Sequence, residues 1–351
     1  MTSATWQLSR ARWKQPRSNR HTLLKKKRDV LTGIPFSFII INFALMEFSL
    51  TTLGTSSASA NPYRHTSAHV VTVHNHRFLV DCGEGCQMSL QQCRIAFAWI
   101  DNILISHLHG DHLFGIFGLL STMAMQGRTA PLYIYAPAGF QKMLDFFYEN
   151  FADGVKYEIH FTPLEMKQKE QIIEMRQLRV YAFPLNHRVP TFGFLFEEKM
   201  PARNVRKDLI EADNLTITEI AAFKRGEDVK RGRKTLKAAD YTYLPYTPRR
   251  LAYCCDTAPF RRLTEWIAGA DLIYHDSTYA DDYQDHAEKY CHSTSRMAAQ
   301  TAAKAGAKML ILGHFSARYK DLAPMLSQAR EVFPETYLAE EQHKYEIPLK
   351  N

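Results

Sequence analysis

Ser106-His107-Leu108-His109-Gly110-Asp111-His112 follows the apolar run Ile103–Ile105 without a break. Three imidazoles and a carboxylate therefore crowd into six positions at the exit of a β-rich run. Core packing does not explain such a set. A continuous helix would put His107 and Asp111 on one face and His109 elsewhere. A tight loop turns all four inward, and Gly110 is expected to supply the backbone freedom for it. Imidazole nitrogens with a carboxylate oxygen suit Zn²⁺ ahead of Mn²⁺ or Fe²⁺.

One such ion needs about four ligands, so the remaining candidates must come from other strand ends. Asn186-His187 follows VYAFPL, Asp256 follows RLAYCC, and His314 follows AKMLILG. Each stands where an apolar run exits, the place where an α/β enzyme gathers its site. Alone, each reads equally well as a cap or turn residue; beside the cluster they read as ligands.

Working outward, EFSLTTL (47–53), VVTVHN, HRFLVDC, IDNILIS and PLYIYA are β-rich runs bounded by turns. QLRVYAFPL and TFGFLFEE form a strand-like pair, and RLAYCCD, ADLIYHD and AKMLILGH are short β runs. Phe114–Gln126, Gly139–Asn150, Arg296–Gly306 and Asp321–Val332 read as helices. The expected class is α/β, with mixed rather than purely parallel sheets. No repeat of solenoid period is present.

The chain has 351 residues, 46% hydrophobic and 23% charged, which suits a folded chain of one large domain or two ordinary ones. No uncharged apolar stretch of about 18 residues occurs, so no membrane span or stable membrane association is expected. Lys+Arg is 44 and Asp+Glu 36, a net charge of +8. Residues 1–45 hold nine basic residues and one acid, which leaves 35 of each for 46–351. The basic pI therefore does not by itself point to nucleic acid. Six cysteines without a CxxC pair suit reduced thiols in a cytoplasmic protein. In residues 1–45 a basic run precedes the short apolar run 30–45, as in a signal peptide or anchor. The preferred expectation is an over-extended start, with Met46 opening the folded domain, because 47–53 already reads as a core strand.

HLHGDH, His187, the Asp256 of CCDT and the His314 of LILGH together resemble the metallo-β-lactamase superfamily. Further stretches resemble the ribonuclease Z family of tRNA 3′-processing endonucleases. These are LTTLGTSSASANPYRHTSA with FLVDCGEG, LNHRVPTFGFLF, FKRGEDV, HDSTY, and CHSTSRMAAQTAAKAGAKMLILGHFSARY. The resemblance runs from about Met46 to Tyr319. It implies a four-layer αβ/βα metallo-β-lactamase fold over 46–351, with an inserted tRNA-binding arm at 199–249.

The resemblance also implies a site. His107, His109 and His187 would hold one zinc, Asp111, His112 and His314 a second, and Asp256 would bridge them. Metal-bound hydroxide would attack phosphorus, with Asp111 as base. His292 would protonate the leaving 3′-oxygen, and Asp276 is the candidate to orient it. The bland alternative for His292 is a helix-entry residue, with Ser293 or Thr294 capping the next helix. The nine other histidines are assigned to surface or core.

Lys199–Arg250 carries 13 basic and 7 acidic residues, and Lys224–Lys237 seven and two. A solvated charged loop is the usual source of such a run. The family's arm, which typically contains a Gly-Pro element, lies at this place. Asn214–Asp228 has none, so its tip is expected to differ. The implied substrate is precursor tRNA, cut to a 3′-hydroxyl on the tRNA and a 5′-phosphate on the trailer, by a homodimer. The competing readings are another hydrolase on this fold, such as a small-molecule phosphodiesterase, and a catalytically dead RNA-binding scaffold. The second would need missing ligands, and all seven are present.

Overall fold

Val70 and Val71 are neighbours in sequence, yet each is buried in a different apolar cluster. That alternation, repeated along several strands, stacks the layers of the molecule. The computed structural model describes residues 46–349. The expected extension at 1–45 lies outside these residues.

The first sheet contains β1 (Phe48–Gly54), β2 (Ala68–Val73), β3 (His76–Cys82), β4 (Ile100–Leu104), β5 (Leu132–Pro137) and β6 (Ile159–Leu164). The second contains β7 (Glu170–Glu174), β8 (Leu178–Pro184) and β9 (Phe192–Glu198). Between these and the later strands lie four short ones: β10 (Asn204–Val205), β11 (Val229–Arg231), β12 (Lys234–Leu236) and β13 (Thr242–Tyr243). The second sheet then takes β14 (Arg250–Cys254), β15 (Leu272–Asp276), β16 (Leu310–Gly313) and β17 (Thr336–Leu338), and β18 (Lys344–Glu346) returns to the first. The orders are β18-β1-β2-β3-β4-β5-β6 and β17-β16-β15-β14-β9-β8-β7. Both sheets are mixed. Strands β3 to β6 and β14 to β17 run parallel within their sheets, and the remaining pairs are antiparallel.

Phe48, Val71, Phe78 and Val80 of the first sheet share a cluster with Val180, Phe196, Leu251 and Tyr253 of the second. Phe78 and Phe196 meet edge to face, their centroids 5.2 Å apart. Burying each ring contributes about 1.5–3 kcal/mol. On the other face of the first sheet, Val70, Leu79 and Ile103 pack with Leu90, Leu119, Leu144 and Phe147 of helices Cys86–Gln92, Ile116–Met125 and Phe140–Phe151. The second sheet is backed by helices Arg261–Trp266, Ser295–Ala305 and Ala323–Arg330 through Leu263, Ala298, Ala302 and Met325. Helix, sheet, sheet, helix is the four-layer order.

The insert is folded, which its weak period conceals. β10 pairs with β13, and β11 with β12 in a hairpin. Val205, Leu215, Phe223, Leu236 and Tyr241 form a small apolar cluster of their own. Thr216 and Glu219 make a reciprocal capping box at helix Ile217–Arg225. Arg231 donates to Glu219 and to the carbonyls of Asp213 and Asn214.

Two local expectations need correction. The HLHGDH stretch is not a loop throughout, because Gly110–Leu113 is a single helical turn with extended His109 before it. Gly110 has no positive φ. The nearest atoms that a Cβ there would meet belong to the ring of the exposed Phe114.

Candidate metal centre

The site forms where strands end. His107 lies just past β4, His187 past β8, Asp256 past β14 and His314 past β16. These loops converge, so residues more than 200 positions apart touch: His112 Nε2 lies 3.2 Å from His314 Nε2. His107 Nε2 and His109 Nδ1 are 2.9 Å apart. Asp256 stands between the two groups. Its Oδ2 lies 3.5 Å from His107 Nε2 and 3.9 Å from His187 Nε2. Its Oδ1 lies 3.3 Å from His112 Nε2 and 3.2 Å from His314 Nε2. Asp111 Oδ2 is 3.4 Å from His314 Nε2. All seven expected ligands are thus brought together. Their atoms fall into a set of His107, His109, His187 and Asp256, and a set of Asp111, His112 and His314.

The far nitrogens are already committed. His112 Nδ1 donates to Asp81 at 2.8 Å and His187 Nδ1 to the Cys291 carbonyl at 3.0 Å. His314 Nδ1 lies 2.8 Å from Thr278 Oγ1. An imidazole that donates from Nδ1 while neutral presents a bare lone pair at Nε2, which is the ligand tautomer. Asp81 also accepts from Ser106 and from the Tyr253 hydroxyl. The Ala58 amide donates to Asp111 Oδ2 at 2.7 Å. Asp81, Thr278, the Cys291 carbonyl and the Ala58 amide were not found from sequence, since nothing local marks a partner for a distant imidazole.

Four residues of this shell hold left-handed backbone: Ala58 (φ 62°), Asp81 (58°), Cys291 (57°) and His314 (61°). Outside glycine this conformation costs about 1–3 kcal/mol and persists where surrounding structure imposes it. Gly313 allows the approach at His314, because a Cβ there would meet the Tyr274 hydroxyl at 2.1 Å.

Burial opposes the charge of Asp256, yet His314, His112 and His107 hold it well below the usual carboxylate range. Asp111 is likewise depressed, by His112 and His314 against its burial. In the same way Asp256, Asp111 and Asp276 push His314 up to about 10 despite its burial. Burial lowers His107, His109 and His187. The pocket therefore attracts positive charge at its centre. His187 Nε2 and Asp256 Oδ1 are buried without a hydrogen-bond partner, as donors aimed at a cation would be. The nitrogen and carboxylate set fits a zinc-type ion.

His292 stands beside this cluster. Its Nδ1 lies 2.8 Å from Asp276 Oδ2, and its ring is 5.0 Å from that of His187. Asp276 also accepts from the Thr257 and Thr278 amides. Although burial opposes it, Asp276 raises the His292 pKa above its ordinary value. Atoms of His292 also come within ligand range of Asp256 and His314. The cap of the following helix is Thr294, which accepts from the Met297 amide. Among the histidines assigned elsewhere, His74 is buried 3.0 Å from Glu198, and His160 stacks on Tyr133.

A family model described as anti-Pycsar protein Apyc1 matches residues 48–203. That span ends before Asp256, His292 and His314. A ribonuclease Z of Phocaeicola vulgatus is 37% identical over 302 residues, covering 86% of this chain and 98% of its own. The crystal structure of the short form of human tRNase Z superposes with a TM-score of 0.62 at 26% identity, over 86% of this chain and 99% of that one. A metallo-β-lactamase-fold protein of Bacillus subtilis superposes with a TM-score of 0.61 at 16% identity, over 86% and 99%. Fold and site define a metal-dependent hydrolase of the metallo-β-lactamase fold. Within that class the chain belongs to the ribonuclease Z family. It is an endoribonuclease, a hydrolase of phosphodiester bonds.

Proposed function

We propose that this endoribonuclease uses two zinc ions to remove the 3′ trailer from precursor tRNA, leaving a 3′-hydroxyl on the tRNA and a 5′-phosphate on the trailer. The observation that carries this is the two-sided Asp256, with one oxygen toward His107 and His187 and the other toward His112 and His314. His107, His109 and His187 would hold one ion, Asp111, His112 and His314 the other, with Asp256 common to both. When bound, such ions ionise water near neutral pH and neutralise charge on phosphate oxygens.

The side chains supply the rest. The Ala58 amide fixes Asp111 Oδ2, the acceptor for the attacking water's proton. His112 and His314 hold Asp111 ionised against its burial, so that oxygen is free to accept the proton. His292 gives up Nδ1 to Asp276, which leaves Nε2 to deliver a proton to the departing 3′-oxygen. Its raised pKa keeps more of it charged at neutral pH.

The insert supplies affinity for the RNA backbone. Lys224, Arg225, Lys230, Arg231, Arg233, Lys234 and Lys237 are all exposed on or beside the β11–β12 hairpin. Arg225 and Arg231 are paired with Glu227 and Glu219. The remaining five are available to phosphates. A homodimer in the cytoplasm, each arm serving the partner's site, completes the proposal. No helix among the described residues is long and apolar enough to cross a membrane.

The test is cleavage of a precursor tRNA with both new ends mapped, run beside bis(p-nitrophenyl) phosphate and with His109→Ala as the inactive control. Hydrolysis of the small diester without cleavage of the precursor would favour a small-molecule phosphodiesterase instead.

A further inference from the structure

Arg188, Lys289 and Arg318 are exposed, and each holds its cation over a tyrosine ring. Arg188 lies 5.1 Å and Lys289 5.3 Å from the centroid of Tyr290, and Arg318 lies 4.4 Å from that of Tyr283. None of the three makes an ion pair among the described residues. Helix Gln284–Tyr290 joins the two rings through His286, whose own ring is 6.3 Å from Tyr290 and 5.2 Å from Tyr283. Cations and rings thus alternate along one strip.

The strip borders the metal centre. Arg188 follows His187 directly, and Arg318 follows His314 by four positions. Tyr279, also beneath Arg318 at 5.3 Å, faces His292 with ring centroids 6.1 Å apart. Helical spacing turns the carboxylates of this helix away from the His286 face: Asp285 by about 100° and Glu288 by about 160°. Glu288 accepts from Gln284, and Asp281 is taken by Arg296. Asp282, next to Tyr283 in sequence, is exposed and leaves Arg318 unpaired.

Cations interleaved with rings suit a single nucleic-acid strand, because rings stack bases and cations meet phosphates. A duplex keeps its bases stacked inside, so the rings call for unpaired nucleotides. We infer that this strip binds the single-stranded RNA flanking the scissile phosphate, with Tyr283 and Tyr290 stacking bases and Arg188, Lys289 and Arg318 meeting phosphates. The inference rests on the processing reaction proposed above and holds for either polarity of the strand.

The test has two readouts. The first is the salt dependence of precursor tRNA binding, to which each cation on a single-strand phosphate contributes a slope of about 0.7 in log Kd against log salt. Combining Arg188→Gln, Lys289→Gln and Arg318→Gln should flatten that slope by about 2. The second uses precursors with one abasic ribose at either of the two positions on each side of the scissile phosphate. At one or more of these positions the wild type should lose about tenfold in kcat/KM, the order expected for one stacked base. Tyr283→Leu or Tyr290→Leu should erase that difference. A slope unchanged in the triple variant, or an abasic penalty absent from the wild type or retained in both tyrosine variants, would overturn the assignment. A merely structural role would lower all substrates equally and leave the slope alone. A wild type that neither binds nor cleaves precursor tRNA would instead show the processing reaction itself to be wrong.

Discussion

His292 and Asp276 meet across 2.8 Å, and the pair separates two roles for an imidazole beside metal ligands. As a proton donor, His292→Ala should lower kcat by about 10²–10⁴-fold and leave zinc content unchanged. As a ligand, it would lose an ion. The active form is the protonated one. Asp276 raises the His292 pKa against burial, so activity should fall as pH rises through that elevated value. His292→Ala should abolish this alkaline limb in a pH series of single-turnover rates. At this scale the cluster that the structure brings together was readable, because metal chemistry restricts candidate ligands to His and Asp at strand exits. Their supports were not. Thr278 holds His314 across 36 positions and Asp81 holds His112 across 31, and Thr or Asp in a loop has many ordinary uses. Gly110 misled in the other direction: a glycine inside HLHGDH suggested unusual backbone, yet the chain there is an ordinary helical turn.

Among the elements, β9 and β14 bracket the insert, and a buried ion pair ties them. Arg249 donates to both carboxylate oxygens of Glu198 and to the carbonyls of Met46 and Ile347. Breaking such a pair strands a charge, so Arg249→Leu should cost about 3–5 kcal/mol in folding stability. Burial opposes the charge of Glu198, but His74 and Arg249 hold its pKa below the ordinary 4.5. A depressed carboxylate pKa contributes stability that is full above pH 4.5 and fades as pH falls toward the folded value. The gap in Tm between wild type and Arg249→Leu should therefore narrow on acidification below that point; a gap independent of pH would refute the assignment. The insert itself is held by its own apolar cluster and by the β10–β13 pair. Deleting residues 200–248 should accordingly abolish most precursor tRNA cleavage while sparing hydrolysis of a small phosphodiester. Equal loss of both activities would make the insert a structural prop. Its fold was hidden in the sequence because Val205, Leu215, Phe223, Leu236 and Tyr241 follow neither a helical nor a strand period. β17 and β18 were missed for a simpler reason, since at three residues each they carry no pattern of their own.

For the whole molecule, two sheets bring loops from distant parts of the chain to one edge, and the α/β class with mixed sheets was visible in the order of the runs. The packing of sheet on sheet was implied by family resemblance rather than by pattern, because alternation along β2 or β3 marks two buried faces without saying what covers each. If the arm serves a partner's site, a chain lacking 200–248 mixed with a His109→Ala chain should recover precursor cleavage that neither shows alone. Recovery absent from dimers confirmed by sedimentation would assign the arm to its own subunit. The outcomes for activity presuppose seven side chains converging on paired cations. Anomalous diffraction at the zinc absorption edge, on crystals of protein purified without added metal, examines that directly. Two peaks per chain are expected, one among His107, His109 and His187 and one among Asp111, His112 and His314, with Asp256 between them; a site free of anomalous signal in protein that cleaves precursor tRNA would refute it.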